Sequence, residues 1–315
     1  MTAMPLLIRV GIGVLLFALL VLLALSMGGE WINPFSPHTD IERTILTELR
    51  LPRLITAFAV GGMLALAGAW FQVLLGNPLA EPYVLGVAGS SAVGAVTGMI
   101  LLPDSAWGMS VGSFAGAWVG IAAVLAFSRL GPVKLLLAGV VLAAFWSAVL
   151  MLCMALLPER GVGLAYAWMM GDVSRQGLPL SVLMGLWLLS VGCGLALSRS
   201  LDALLLGEKH AAALGVDVPR LRMLLLLLAS AVTSIAVTVA GTIGFVGLVI
   251  PHLMRLVFGS LHRYVLPASA IGGGMLLMLA DAVARSVIAP AELPIGVLTA
   301  LIGVPLFLFL LLGRR

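Results

Sequence analysis

Charge is what this chain has least of. Only 10% of its 315 residues are charged against 62% hydrophobic, and its mean hydropathy is +1.21. No soluble domain of that length has so little polar surface, so the composition is that of a helical protein crossing a membrane many times. Lysine is nearly absent, represented by Lys134 and Lys209. No GxxxxGK[ST] loop occurs, which excludes binding of ATP through a P-loop of the chain's own. The two cysteines, Cys153 and Cys193, both fall inside apolar runs, which argues against a structural disulfide. HExxH is missing, and His38, His210, His252 and His262 show no metal-ligand spacing, so no metal site is expected. A pI near 9.6 would suit nucleic acid if the basic residues formed a patch, but they are scattered between apolar runs and no nucleic-acid partner is expected.

What is present is a succession of apolar runs. They predict an all-α polytopic membrane protein, a single domain over residues 1–315 with about ten transmembrane helices. The expected spans are Leu6–Met27, Leu54–Leu75, Val84–Leu102, Ala106–Phe127, Leu135–Leu157, Leu178–Leu197, Met223–Ala240, Ile243–Phe258, Leu266–Ile288 and Ile295–Leu312, the eighth being short. The first is too long for a signal-peptide core and no small-residue cleavage site follows, so it reads as a retained span. An even number of spans puts both termini on one side. With that side cytoplasmic, eleven basic residues lie inside: Arg9, Arg129, Lys134, Arg199, Lys209, Arg220, Arg222, Arg255, Arg263, Arg314 and Arg315. Six lie outside: Arg43, Arg50, Arg53, Arg160, Arg175 and Arg285. The bias places both termini in the cytoplasm. Small residues crowd several spans, and Gly112, Gly116 and Gly120 form a small-xxx-small ridge suited to close helix packing.

Polar stretches interrupt the apolar pattern at span ends. From Arg199 to Arg222 the chain reads RSLDALLLGEKHAAALGVDVPRLR. Gly207 breaks the preceding run, acidic Glu208 suits the start of a short helix to Leu214, Gly215 is a natural stop and Pro219 prevents continuation. Ala211 and Leu214, three apart, would give that helix a small apolar face. Two readings stand side by side, an ordinary surface loop and a docking knob for a cytoplasmic partner. After the second span, Gln72-Val-Leu-Leu-Gly-Asn77-Pro78-Leu79-Ala80-Glu81-Pro82 carries two prolines that forbid a continuous helix, while Asn77 can satisfy the freed backbone. It is either a rigid turn or part of a gate. On the outer side Arg50 and Arg53 either snorkel to lipid headgroups or receive carboxylates. Asp281 and Arg285, four apart, are positioned to pair with each other. Ser90, Ser91 and His252 could be imagined as nucleophile and base, but no orienting carboxylate stands beside them, and no catalytic residues are expected.

Eight blocks in order carry a resemblance: RLPR (Arg50–Arg53), QVLLGNPLAEPYVLGVAGSSAVG (Gln72–Gly94), LLLAGV (Leu135–Val140), WMMGD (Trp168–Asp172), LLLGEKHAAALGV (Leu204–Val216), GTIGFVGLVIPHLMRLVFG (Gly241–Gly259), LADAVAR (Leu279–Arg285) and ELPIGVLTALIGVPLF (Glu292–Phe307). From about Arg50 to the C-terminus the chain resembles the FecCD family, the permease subunits of type II ATP-driven ABC importers for ferric siderophores, haem and vitamin B12. The resemblance implies a homodimer in the bacterial inner membrane. Two copies of a cytoplasmic ABC ATPase would dock below, using ATP and magnesium, and a periplasmic binding protein would dock above. No cofactor would be bound by the chain itself. It implies that the segment of about 199–222 is the coupling element, shaped by Gly207 and Gly215, with Glu208, Ala211, Ala212 and Leu214 toward the ATPase. Arg50, Arg53 and Arg285 would receive acidic residues of the binding protein. Asn77 and Leu79 match a loop implicated as the cytoplasmic gate, and His252 and Arg255 match a pattern read as structural bracing. Iron chelates and cobalamin remain as substrates, with haem third. The competing class is a secondary transporter driven by an ion gradient, which would need an ionisable residue at mid-membrane.

Overall fold

Backbone inside a membrane must satisfy its own hydrogen bonds, and among the described residues the apolar runs all fold as helices. The computed structural model of the protein describes residues 5–103, 105, 107–127, 131–174 and 177–312. In chain order the helices are α1 (Leu6–Ser26), α2 (Asp40–Thr44), α3 (Leu51–Leu74), α4 (Val87–Leu101), α5 (Gly108–Ala126), α6 (Pro132–Leu156), α7 (Glu159–Met169), α8 (Leu180–Leu205), α9 (Glu208–Ala213), α10 (Val218–Ala240), α11 (Val246–Phe258), α12 (His262–Ser286) and α13 (Ile295–Leu312). Seven helices are long and apolar enough to cross a membrane, the second of them running on from α2 into α3, and α4, α11 and α13 are shorter apolar helices. Each expected span therefore has its helix.

Several boundaries differ from expectation. α8 continues past Leu197 to Leu205, α10 starts at Val218 and α12 at His262, so charged Arg199, Asp202 and Arg220 are helical. Long charged side chains reach water from a helix end without terminating the helix, which hydropathy alone does not show. Hydropathy also passes over α2 and α7. Thr39 caps α2, its hydroxyl accepting from the Glu42 amide at 3.1 Å, and a π-helical turn at Ile45–Arg50 joins α2 to α3. The expected start of a span at Ala106 lies outside the described residues, as do Arg129, Arg175, Arg314, Arg315 and the side chain of Arg160.

α3 is apolar on every side, and a helix without a polar face is driven to the centre of a bundle. Val60, Met63, Leu64, Leu66, Trp70 and Phe71 are at most 1% exposed. Its neighbours are α8, α10, α11 and α12. The approach to α12 is glycine against glycine: a Cβ on Gly61 would collide with the Gly273 carbonyl, and one on Gly273 with the Gly61 carbonyl. Gly68 meets Gly247 of α11 in the same way. The predicted ridge of Gly112, Gly116 and Gly120 lies against Gly94 and Ser90 of α4, so those glycines set helix packing in a medium where dispersion between close backbones is the main attraction. α1, by contrast, leaves most of its length unburied.

The bundle has two functional ends. At one, the C-terminus of α1 meets the start of α3 and the end of α12. At the other, α8 runs into α9, and Asp202 of α8 accepts from the His262 backbone amide (2.9 Å) and ring Nδ1 (2.6 Å), capping α12. Arg9 of α1 donates to the Val257 carbonyl of α11, which puts the N-terminal end of α1 at this second end.

Candidate functional site

At the first end, a helix terminus with unpaired carbonyls meets guanidinium groups. The last carbonyls of α1 have no partner within the helix. Arg50 donates to the carbonyls of Leu25 (2.6 Å), Ser26 (2.8 Å) and Glu30 (2.7 Å), and Arg285 to those of Ala24 (3.0 Å) and Met27 (3.2 Å). Cations at a helix C-terminus also suit its dipole. Arg50 and Arg285 are only 6% and 7% exposed. The snorkelling expected as one reading of Arg50 is therefore not what the side chain does; it turns inward, its planar fork of donors matching the carbonyls of Leu25, Ser26 and Glu30. The expected pair forms: Arg285 Nε lies 3.0 Å from Asp281 Oδ2, while Arg53 Nε lies 2.6 Å from Asp281 Oδ1. Arg53 also meets half-exposed Glu292 at 2.8 Å. Arg50, Arg53, Arg285, Glu30, Glu48 and Glu292 line an open cavity of about 720 Å³.

At the opposite end the chain builds a short, rigid projection. Gly207 has φ 102° and ψ 154°, a region that residues with a Cβ essentially never occupy, and Gly215 has φ 84°. Between them α9 makes less than two turns. The amide of Gly215 returns to the Ala212 carbonyl and that of Val216 to the Ala211 carbonyl, both at 3.0 Å. Glu208 pairs with Arg222 of α10 at 2.6 Å, and Asp217 caps α10 by accepting from the Arg220 amide at 3.1 Å. Ala211 and Leu214, expected as one apolar face, differ in burial. Ala211 is fully buried and anchors the projection to its own bundle. Leu214 caps the end of α9, its amide still donating to the His210 carbonyl at 3.0 Å, and is 67% exposed beside exposed Ala212. Ala211 is thus covered by its own chain, while Gly207, Glu208, Ala212, Leu214 and Gly215 stand at the surface. Clefts of about 550 and 760 Å³ flank the projection.

The third feature follows α3. Asn77 does hold the broken backbone, its Oδ1 accepting from the Leu79 amide at 2.9 Å, and Leu79 is 47% exposed. Sequence reasoning did not foresee how the flanks of this segment are tied. Gln72 Nε2 donates to the Gly247 and Leu248 carbonyls at 3.2 and 3.3 Å, and its Oε1 accepts from Arg255. The bracing implied for Arg255 therefore has a partner, and His252 lies edge-on to Phe307 of α13. On the other flank, the Tyr83 hydroxyl accepts from the Ile243 amide at 2.6 Å, and the Glu81 carboxyl faces the same backbone, its Oε1 3.7 Å from where a Cβ on Gly244 would stand, with the Phe245 amide pulling on it. Burial pushes the Glu81 carboxyl above its ordinary range, against the opposing pull of that amide, and burial raises the Tyr83 phenol as well. The only legible sign of these ties was that polar residues stood in otherwise apolar motifs.

Ser90, Ser91 and His252 do not assemble into a catalytic group. Ser90 donates to the Val87 carbonyl at 2.9 Å and Ser91 lies 2.8 Å from the Ser113 hydroxyl, both within the α4–α5 contact. Among the described residues no group of His, Cys, Asp and Glu could hold a metal ion.

The model of the FecCD transport family matches residues 14–313. The chain belongs to the FecCD family. Among its FecCD relatives, the vitamin B12 import system permease protein BtuC of Vibrio vulnificus is 40% identical over 95% of this chain and 92% of its own length. The Fe(3+) dicitrate transport system permease protein FecD of Escherichia coli is also 40% identical, over 86% of each chain. A solved structure of a metal-chelate type ABC transporter in an inward-facing conformation superposes with a TM-score of 0.88 at 33% identity, covering 97% of this chain and 99% of that one. With this multi-pass helical architecture, the FecCD chain is the permease of an ABC importer.

Proposed function

We propose that the permease works as a homodimer that passes a bulky metal chelate, a ferric siderophore, haem or cobalamin, from the periplasm to the cytoplasm, driven by two copies of a separate ATPase. One observation carries the reading: a rigid, glycine-bounded projection at one end of the bundle stands opposite an arginine-lined cavity at the other. Leu214, Ala212 and the glycine-bounded turn enter the ATPase, and Glu208 keeps the projection on Arg222. Both termini are cytoplasmic, as the basic residues imply. The cavity receives acidic side chains of a binding protein. Because Arg50 and Arg285 spend their donors on carbonyls at and just beyond the end of α1 and on Asp281, Arg53 is the arginine that exchanges partners, releasing half-exposed Glu292 for an incoming carboxylate. ATP and magnesium belong to the ATPase, and this chain makes and breaks no covalent bond.

Motion between two states follows from rigid parts. Closure of the ATPases draws the two projections together, and α8 passes that displacement to α12 through the Asp202–His262 contact. Relatives named for B12 import and for ferric dicitrate transport have the same identity to this chain, over 95% and 86% of its length, which supports a metal chelate as the substrate class rather than one member of it. Uptake tests the reading: cells lacking the gene are complemented and offered labelled cobalamin, a ferric siderophore and haem separately. Uptake of one of them, lost with a hydrolysis-dead ATPase partner, is expected. Uptake that survives loss of the ATPase overturns the importer reading in favour of an ion-driven transporter.

A further inference from the structure

We propose that Glu81 and Tyr83 are positioning residues that tie the segment carrying Asn77 and Leu79 to the amino-terminal end of α11, so that this segment moves only when α11 moves. The inference rests on the cytoplasmic-gate role that the family resemblance implies for that segment, and names what holds it. The tie is a pair of rungs. The Tyr83 hydroxyl accepts from the Ile243 amide at 2.6 Å, and the Glu81 carboxyl faces the backbone at Gly244 and Phe245, so residues 83 and 81 meet residues 243 and 245 in the opposite order. The Ile243 and Phe245 amides lie just before α11, where a helix has no carbonyl to give them. If the two side chains lost their oxygens, two sheltered N–H groups would lose the oxygens that face them.

Two further observations make this more than incidental packing. Phe245 has φ 67°, and among the described residues it alone combines a side chain with a positive φ. Such a conformation persists only where the surroundings over-determine it. Here Gly303 of α13 leaves room for the ring, since a Cβ there would lie 2.6 Å from the Phe245 Cβ, while the Glu81 carboxyl faces the Phe245 amide. On the other flank Gln72 is joined to the Gly247 and Leu248 carbonyls and to Arg255, all on α11. The segment between is thus fastened at one flank to α11 and at the other to the residues that lead into it. Its exposed tip is shaped internally by Asn77 alone among the side-chain hydrogen bonds described.

The test uses the permease assembled with its ATPase in liposomes, with Cys153→Ser, Cys193→Ser and Leu79→Cys, and follows modification of the new thiol by a charged maleimide in the resting and vanadate-trapped states. The rates in the two states are expected to differ. Glu81→Ala and Tyr83→Phe are each expected to shrink that ratio roughly fivefold, the worth of about one hydrogen bond. Glu81→Gln, whose amide oxygen still accepts, keeps it. Tyr83→Phe removes one oxygen atom and carries the test where the alanine variant fails to assemble. A parent whose two rates are equal removes the gate reading and this inference with it. A state-dependent parent with unchanged ratios in Glu81→Ala and Tyr83→Phe overturns the tie alone. Glu81→Gln collapsing as far as Glu81→Ala overturns its hydrogen-bond basis.

Discussion

Asparagine at position 281 removes one charge from a buried cluster and leaves its shape intact. Asp281 is 1% exposed and uses both oxygens, one on Arg53 at 2.6 Å and the other on Arg285 at 3.0 Å. Asp281→Asn keeps one oxygen acceptor, loses the second and leaves two guanidinium groups facing each other across a neutral amide. Removing one partner of a buried ion pair costs about 3–5 kcal/mol, because the remaining charge is left uncompensated away from water. Glu292 offers an internal control. It pairs with the same Arg53 at 2.8 Å but its side chain is 50% exposed, so Glu292→Gln is expected to cost only about 0–1 kcal/mol. Equilibrium unfolding of the purified chain in mixed micelles, followed by tryptophan fluorescence, measures both. A loss for Asp281→Asn at least about 2 kcal/mol larger than for Glu292→Gln is expected from that difference in burial. Equal losses would refute the reasoning, since the cluster would then be as well solvated as a surface pair.

Gly273→Ala places a methyl group against the Gly61 carbonyl and is expected to cost about 1–3 kcal/mol in the same unfolding assay. Gly215→Ala meets open space and is expected to cost only about 1–2 kcal/mol, through its positive φ; a reversed order would contradict the glycine-on-glycine crossing. Leu214→Asp, at an exposed site, is expected to stay within about 0.5 kcal/mol of the parent in stability. The same variant is expected to lose ATPase co-purification and uptake, and retained uptake would remove the coupling role of the projection. Gln72→Leu leaves Arg255 without its acceptor and is expected to destabilise by about 1–3 kcal/mol, read again by unfolding.

Features held within a few residues of each other are legible in the amino-acid sequence. The Asp281–Arg285 pair is one helical turn, the Asn77 turn spans two residues, and the α9 projection is bounded by Gly207 and Gly215. Where the reading failed, the missing information was direction. Ala211 and Leu214 are three apart, the spacing of one helix face, but the rest of the bundle covers Ala211 and leaves Leu214 exposed. Arg50 could have pointed to lipid or to protein. Only the position of α1 decides that it caps Leu25, Ser26 and Glu30.

By itself, the amino-acid sequence determined that this protein is helical, crosses the membrane many times and packs through small residues. Each of those properties follows from hydropathy, glycine and proline along the chain. Tertiary structure alone decided which spans are neighbours, and with that the partners of every long-range polar group: Arg53 with Asp281, Gln72 with Arg255, Tyr83 with the Ile243 amide. The reason is physical. A soluble helix announces its buried face by an apolar stripe, but a span surrounded by lipid and by other spans is apolar all round. Its pattern therefore specifies that it is buried without specifying against what. The sparse polar side chains then find their partners only once glycine contacts have set the helices side by side.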